Sequence, residues 1–189
     1  MHYWNKDNFE GFEDIAAHLG DDPLCGDLAE YCRLRASGLR REAFKALDRF
    51  MDKAAALPTA EKREVINLVY DLALRMPHVH QFIPTPLATR FLGPELEKWL
   101  AEVPASLPAL RWDGIFWDNA ESLKRALEID PDDALVRRYL INRECLSLLD
   151  YGFHHIAEGG LLLEVAVIED LLAQGEIWLA RAPDDFCFD

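Results

Sequence analysis

The sequence predicts an all-α fold, a compact array of about seven to nine helices packed as antiparallel pairs. Apolar residues recur at steps of three and four along nearly the whole chain, the spacing that gathers them on one helix face. No alternating apolar–polar run is long enough for a strand, and prolines cut the periodic stretches at intervals. Half of the 189 residues are hydrophobic, and at this length roughly 70% of the unfolded surface is buried on folding, enough for a real core.

Leu39, Ala43, Leu47, Phe50, Ala54 and Leu57 mark one helix, which Pro58 stops. Thr59 is expected to cap the next, its hydroxyl accepting a backbone N–H. There Glu64, Asn67, Asp71 and Arg75 form a narrow polar stripe, while Val65, Ile66, Val69, Tyr70, Leu72, Ala73 and Met76 cover the remainder. So wide an apolar surface predicts a helix held between neighbours, at the centre of the core. Residues 77–86, PHVHQFIPTP, interrupt the pattern with three prolines. Thr85-Pro86 and Gly93-Pro94 each read as a helix start with proline in the first turn.

After Pro104 and Pro108, the residues Ile115 or Phe116, Ala120, Leu123 and Leu127 mark a helix ending near Asp130. Asp130-Pro131-Asp132-Asp133 opens another, with acids where the helix dipole favours them. Leu135, Tyr139, Leu146, Leu149 and Phe153 make its expected apolar stripe. Gly159-Gly160 separates it from the last helix, Leu161 to Ala180, which reads as largely buried and is stopped by Pro183. Its Glu164, Glu169, Asp170 and Glu176 exclude a membrane span. The whole, residues 1–189, is expected to form one domain, with 77–86 and 104–113 as the places where it would divide.

The segment Ala126-Leu127-Glu128-Ile129-Asp130-Pro131-Asp132-Asp133 resembles the turn joining adjacent tetratricopeptide repeats, in which alanine and a large aliphatic end one helix and acid-proline precedes the next. Leu140 falls where the following repeat places an aliphatic. The likeness covers residues 120–140 and implies an antiparallel helical hairpin, a diverged tetratricopeptide-like α–α superhelix. No 34-residue self-similarity runs through the rest of the chain, so a repeat-lined peptide groove is not implied.

Charge narrows the functions. The chain has 20 basic and 34 acidic residues, a net charge of −14 and a pI of about 4.8. Disorder is excluded by the apolar content, and direct nucleic-acid binding is disfavoured for want of excess lysine and arginine. Residues 1–32 carry one base and eight acids, and residues 144–189 one base and ten acids. Residues 33–53 between them carry seven bases and three acids. These bases either lie against acidic neighbours or leave the acidic ends to a basic partner. Cys25, Cys32, Cys145 and Cys187 show no paired spacing, and the N-terminus lacks a secretory pattern, so reduced thiols and a cytoplasmic location are expected.

No phosphate-binding loop, dinucleotide glycine pattern, H-E-x-x-H or nucleophile elbow is present. If a helix persists through Gly152, then Asp150, His154 and Glu158 align at i, i+4 and i+8. Arg143 and Ser147 extend that stripe, and Tyr151 and His155 lie on the adjoining face. Carboxylate and imidazole so placed could bind a metal or share a proton. The plainer alternative has Asp150 accept a hydrogen bond from His154, both anchoring the helix to a loop. His78 and His80 are further candidate ligands, but a catalytic zinc needs three protein ligands. Trp112, Phe116 and Trp117 form an aromatic cluster that either packs or faces a ligand. Asn142 interrupts its stripe and, if buried, needs hydrogen-bond partners.

Three functions fit these residues. The chain is read first as a non-enzymatic interaction module without cofactor, presenting an acidic helical surface to a basic protein or peptide, as adaptors, immunity proteins and antitoxins do. The others are a metal- or small-ligand-binding enzyme using Asp150, His154 and His155, and a structural subunit forming homo-oligomers through helix faces.

Overall fold

A computed structural model describes residues 6–20 and 24–182; Cys187 and Pro183 lie outside the described residues. Every regular element among them is helical. Close contacts divide the chain into two compact units, Met1–Ala101 and Glu102–Asp189.

The first unit contains α1 (Lys6–Leu19), α2 (Gly26–Ala36), α3 (Arg40–Ala55), α4 (Thr59–Arg75), the short α5 (Thr85–Leu87) and α6 (Gly93–Glu102), whose last residue opens the next unit. The middle position belongs to α2, which packs against both α1 and α3, rather than to the expected α4, which packs on α3. Leu28, Ala29, Tyr31 and Cys32 are accordingly all fully buried. Tyr31 meets Phe12 and Phe44 edge-on, each at 6.1 Å between ring centres. The periodic residues Ala43, Leu47, Phe50 and Ala54 of α3 are buried, but Leu39 is largely exposed because it precedes the helix. There Gly38, at φ +76°, ends α2: its N–H donates to the Arg35 carbonyl and that of Leu39 to Leu34. A side chain would be strained at that angle, so glycine suits it.

Two expected helix starts differ in detail. Thr59 is the first residue of α4 and Pro58 takes the cap position without a side-chain acceptor. At Gly93-Pro94 the chain does not restart at all. Ala88–Leu92 forms a π-turn, with Gly93 N–H donating to the Ala88 carbonyl, that joins α5 to α6 continuously. Proline lacks an N–H and its ring would press on the carbonyl four residues back. The wider turn just before it accommodates Pro94 without breaking the helix.

The second unit contains α7 (Leu107–Phe116), α8 (Ala120–Ile129), α9 (Ala134–Ile141), α10 (Ser147–Phe153) and α11 (Val165–Leu179), with a π-turn at Asn142–Leu146 linking α9 to α10 and a 3₁₀ turn at Ile156–Glu158. Counting helices joined by π-turns as one, nine continuous helices span the described residues. The break between α7 and α8 departs from the single helix that periodicity predicts there. It falls at Asp118, whose φ of +56° an aspartate tolerates better than most side chains. Asn119 then caps α8, its carbonyl oxygen accepting from Ser122 N–H. Asp133 caps α9, accepting from Val136 N–H at 3.0 Å and from Arg111 at 2.5 and 3.1 Å. The α7–α8 pair closes over Gly114, where an added Cβ would stand 2.3 Å from Leu123 Cδ2.

The buried face of α9 and its π-turn is Val136, Leu140, Ile141 and Cys145, one position round from the expected stripe, and Leu146 and Phe153 are exposed. The shift is already present within α9, where Val136 and Leu140 are buried and Leu135 and Tyr139 only half-buried, before the π-turn begins. The largest departure is α11. Among its residues only Ile168 and Gly175 are buried, so it is not the buried helix its composition predicts. Its inner edge rests on Cys145 at Gly175, and Arg137, itself buried, donates to the carbonyls of Trp178 and Pro131. Among the described residues no helix is long and apolar enough to cross a membrane.

Candidate functional site

Both acidic ends of the chain keep exposed carboxylates without ion pairs among the described residues, Asp7, Glu13 and Asp14 in the first unit among them, but only the first unit sets part of the basic stretch against its acids. In the first unit, Asp27 of α2 receives Arg49 at 2.9 Å and Lys53 at 2.5 Å from α3, and Arg49 also meets Glu30 at 2.6 Å. The Lys53 ammonium, with Arg49 beside it, holds the Asp27 carboxyl below its ordinary value, against the effect of its burial. The basic stretch thus neutralises acidic neighbours on its own unit. At the other end Glu144 meets Lys124 and Arg143, and few further bases are near. In the second unit, Asp150, Glu164, Glu169, Asp170 and Glu176 are exposed and make no ion pair among the described residues.

The histidine segment is not assembled as the i, i+4, i+8 spacing suggests. Helix α10 runs through Gly152 but ends at Phe153, and Leu162 N–H takes the Gly152 carbonyl at 3.0 Å. Gly152 admits the returning chain closely: a Cβ there would be 2.9 Å from Leu163. Past the helix end, His155 Nδ1 lies 3.0 Å from Glu158 Oε2, and the His154 and His155 rings meet edge-on at 4.9 Å. Among the described residues no hydrogen bond joins Asp150 to His154. Arg143 turns away from the stripe, pairing with Asp118 at 2.8 Å and Glu144 at 3.3 Å.

Tyr151, Asp150, His154 and Glu158 are exposed, and Asn142 is exposed rather than buried, its carbonyl accepting from Ser147 Oγ at 2.8 Å. Trp112 is a core residue, its ring 6.1 Å from Phe116, whereas Trp117 is exposed. His78 and His80 are exposed on either side of buried Val79, in the first unit. Among the described residues no three of His, Cys, Asp and Glu come together as a metal site.

What the periodicity missed is the surface around these residues. Twelve of the sixteen large hydrophobic side chains exposed among the described residues lie between Leu146 and Leu179, so the apolar exposure is concentrated rather than scattered. A depression of about 430 Å³ opens there, lined by Leu161–Val165 and Val167. On α11 the outer stripe is Val165, Glu169, Leu172, Glu176 and Leu179, all exposed. Steps of four and three place these five on one face. The stripe therefore alternates apolar side chain and carboxylate along its whole length. The signal is present in the sequence: Ile168, Leu171, Gly175 and Trp178 form the inward stripe, about a quarter turn round the helix from the exposed one, and one such stripe suffices to attach a helix.

No family model, curated protein or solved structure matches this chain.

Proposed function

We propose that this chain is a non-enzymatic helical interaction module, of the adaptor or immunity and antitoxin type, whose α11 face docks a basic amphipathic helix of a partner protein. The observation that carries the reading is the outer stripe of α11, in which carboxylates without basic partners alternate with exposed aliphatic residues. A partner helix with alternating aliphatic and Lys or Arg side chains at the same spacing buries the first set and neutralises the second. That is the geometry by which helices seat side chains between one another in a shared seam. The depression at Leu161–Val167 gives such a partner an apolar anchor point beside the seam. A second copy of the chain is a poorer occupant, since it brings the same carboxylates to the interface and like charges oppose. The reading includes a cytoplasmic setting, in keeping with the free thiols of Cys32 and Cys145, and treats the α8–α9 turn as a diverged tetratricopeptide-like joint.

The test uses two synthetic helical peptides, identical except that lysines in one are glutamates in the other, with leucines completing the stripe. Binding of each to the full chain is followed by fluorescence anisotropy. The lysine peptide is expected to bind and the glutamate peptide not to. Its association should slow about tenfold or more between low and moderate salt, as steered encounters do. Leu172→Ser should weaken binding about tenfold by removing one buried aliphatic contact. Reversing Glu169→Lys and Glu176→Lys should transfer preference to the glutamate peptide. Equal binding of both peptides, or self-association that these reversals leave unchanged, refutes the reading.

A further inference from the structure

In the first unit a cavity of about 480 Å³ opens among α1, the α2–α3 junction and the 80–86 segment. That volume lies in the range of pockets that hold small organic ligands. Its chemistry differs from that of the rest of this strongly acidic chain: among the described residues no carboxylate lines it, whereas Arg35 and Arg40 both do. Arg49, Arg90, Arg111 and Arg143 each meet a carboxylate, at 2.9, 2.7, 2.5 and 2.8 Å. Arg35 and Arg40 have no carboxylate partner among the described residues.

Both guanidiniums are instead held by neutral groups. Arg35 lies 5.5 Å over the Phe12 ring and donates through Nη2 to the Gln81 side-chain oxygen. Gln81 is itself fixed, because its backbone carbonyl accepts from the buried Tyr31 hydroxyl at 2.9 Å. Arg40 lies 5.6 Å over Phe44, which also lines the cavity. Ring contacts orient a guanidinium without neutralising it and leave most of its five donors available. Phe9, Phe12 and Phe44 supply apolar walls, and Asn8, 3% exposed, brings a buried amide to the lining. His80, a candidate metal ligand by sequence alone, lies at this rim, with no second histidine in the lining among the described residues.

We propose that this cavity binds a small aromatic carboxylate. Arg35, oriented by Phe12 and Gln81, takes the carboxylate through its planar fork, and Arg40 adds a second cation at the mouth. The phenylalanine rings cover the ligand's flat body. A guanidinium suits a carboxylate because two parallel donors match its two oxygens. Burial among aromatic rings strengthens that pairing relative to water. The site lies in a different unit from α11 and stands independently of the peptide-docking reading.

The test is ligand-observed NMR on the full chain with benzoate, 1-naphthoate and indole-3-acetate, each beside its primary amide, and with AMP. At least one carboxylate is expected to bind about tenfold or more tightly than its amide, the loss of charge-assisted hydrogen bonds being worth that much. Arg35→Gln and, separately, the exposed Arg40→Gln should each reduce that preference while circular dichroism and melting stay near wild type. If Arg35→Gln disturbs the fold, the Arg40→Gln variant alone decides. Three outcomes overturn the assignment: amides binding as well as acids, carboxylate binding that survives substitution of the arginines, or AMP displacing every carboxylate, which would mark the cavity as a phosphate site.

Discussion

Replacing Gly114 by alanine sets two effects of known sign against each other. Gly114 is an interior residue of α7, where alanine is favoured over glycine by about 1 kcal/mol. Against that, the new Cβ would stand 2.3 Å from Leu123 Cδ2, 2.4 Å from Leu123 Cγ and 3.3 Å from the Asn119 carbonyl oxygen. Leu123 is 1% exposed and Asn119 is the cap of α8, so neither neighbour can retreat freely. Inserting a methyl into such packing costs about 1–3 kcal/mol. The clash outweighs the helix preference, and Gly114→Ala is expected to lose up to about 2 kcal/mol.

Urea unfolding followed by tryptophan emission reads this directly, because Trp112 is buried on the same helix. The decisive variant is the pair with Leu123→Ala. Leu123→Ala alone should cost about 2–5 kcal/mol, but in its background the alanine at 114 meets no leucine and should be neutral or stabilising by up to about 1 kcal/mol. A Gly114→Ala protein more stable than wild type, or strict additivity in the pair, would show that α7 and α8 do not approach as described.

Three other perturbations have stated outcomes. Leu47→Ala, at a fully buried position of α3, should cost about 2–5 kcal/mol in denaturant unfolding; a change within error would remove it from the core. Asp27 has a lowered folded pKa, so its contribution is complete above the ordinary aspartate value of about 4 and is lost as pH falls through the still lower folded value. Asp27→Asn should therefore be less stable than wild type at neutral pH, with the gap closing in acid; a gap constant with pH contradicts the pairing with Lys53 and Arg49. Arg137→Met removes the donors to Trp178 and Pro131, costing about 1–3 kcal/mol. Hydrogen exchange should quicken in α11 before α7, and uniform acceleration would argue against Arg137 as its anchor.

Much of this chain is legible residue by residue. The Asp130–Asp133 turn that opens α9, Pro58 after α3 and the helical period of Ala43, Leu47, Phe50 and Ala54 act through neighbours within a turn or two, so sequence alone determined them. The all-α class rests on the same short-range rules. Tertiary structure decided everything that depends on what covers a face. Helix α11 carries enough aliphatic residues to read as buried, yet burial needs neighbours all round and the continuous α9–α10 helix covers only one side. The π-turn at Ala88–Leu92 carries Gly93-Pro94 inside a helix, and α9 buries Val136 and Leu140 rather than Leu135 and Tyr139, the side that its neighbours cover. Likewise, 34 acids against 20 bases fix a net charge but not its distribution. Only packing brought Lys53 and Arg49 to Asp27 while leaving Glu169 and Glu176 without a cation among the described residues, because ion pairs form between residues that folding makes adjacent.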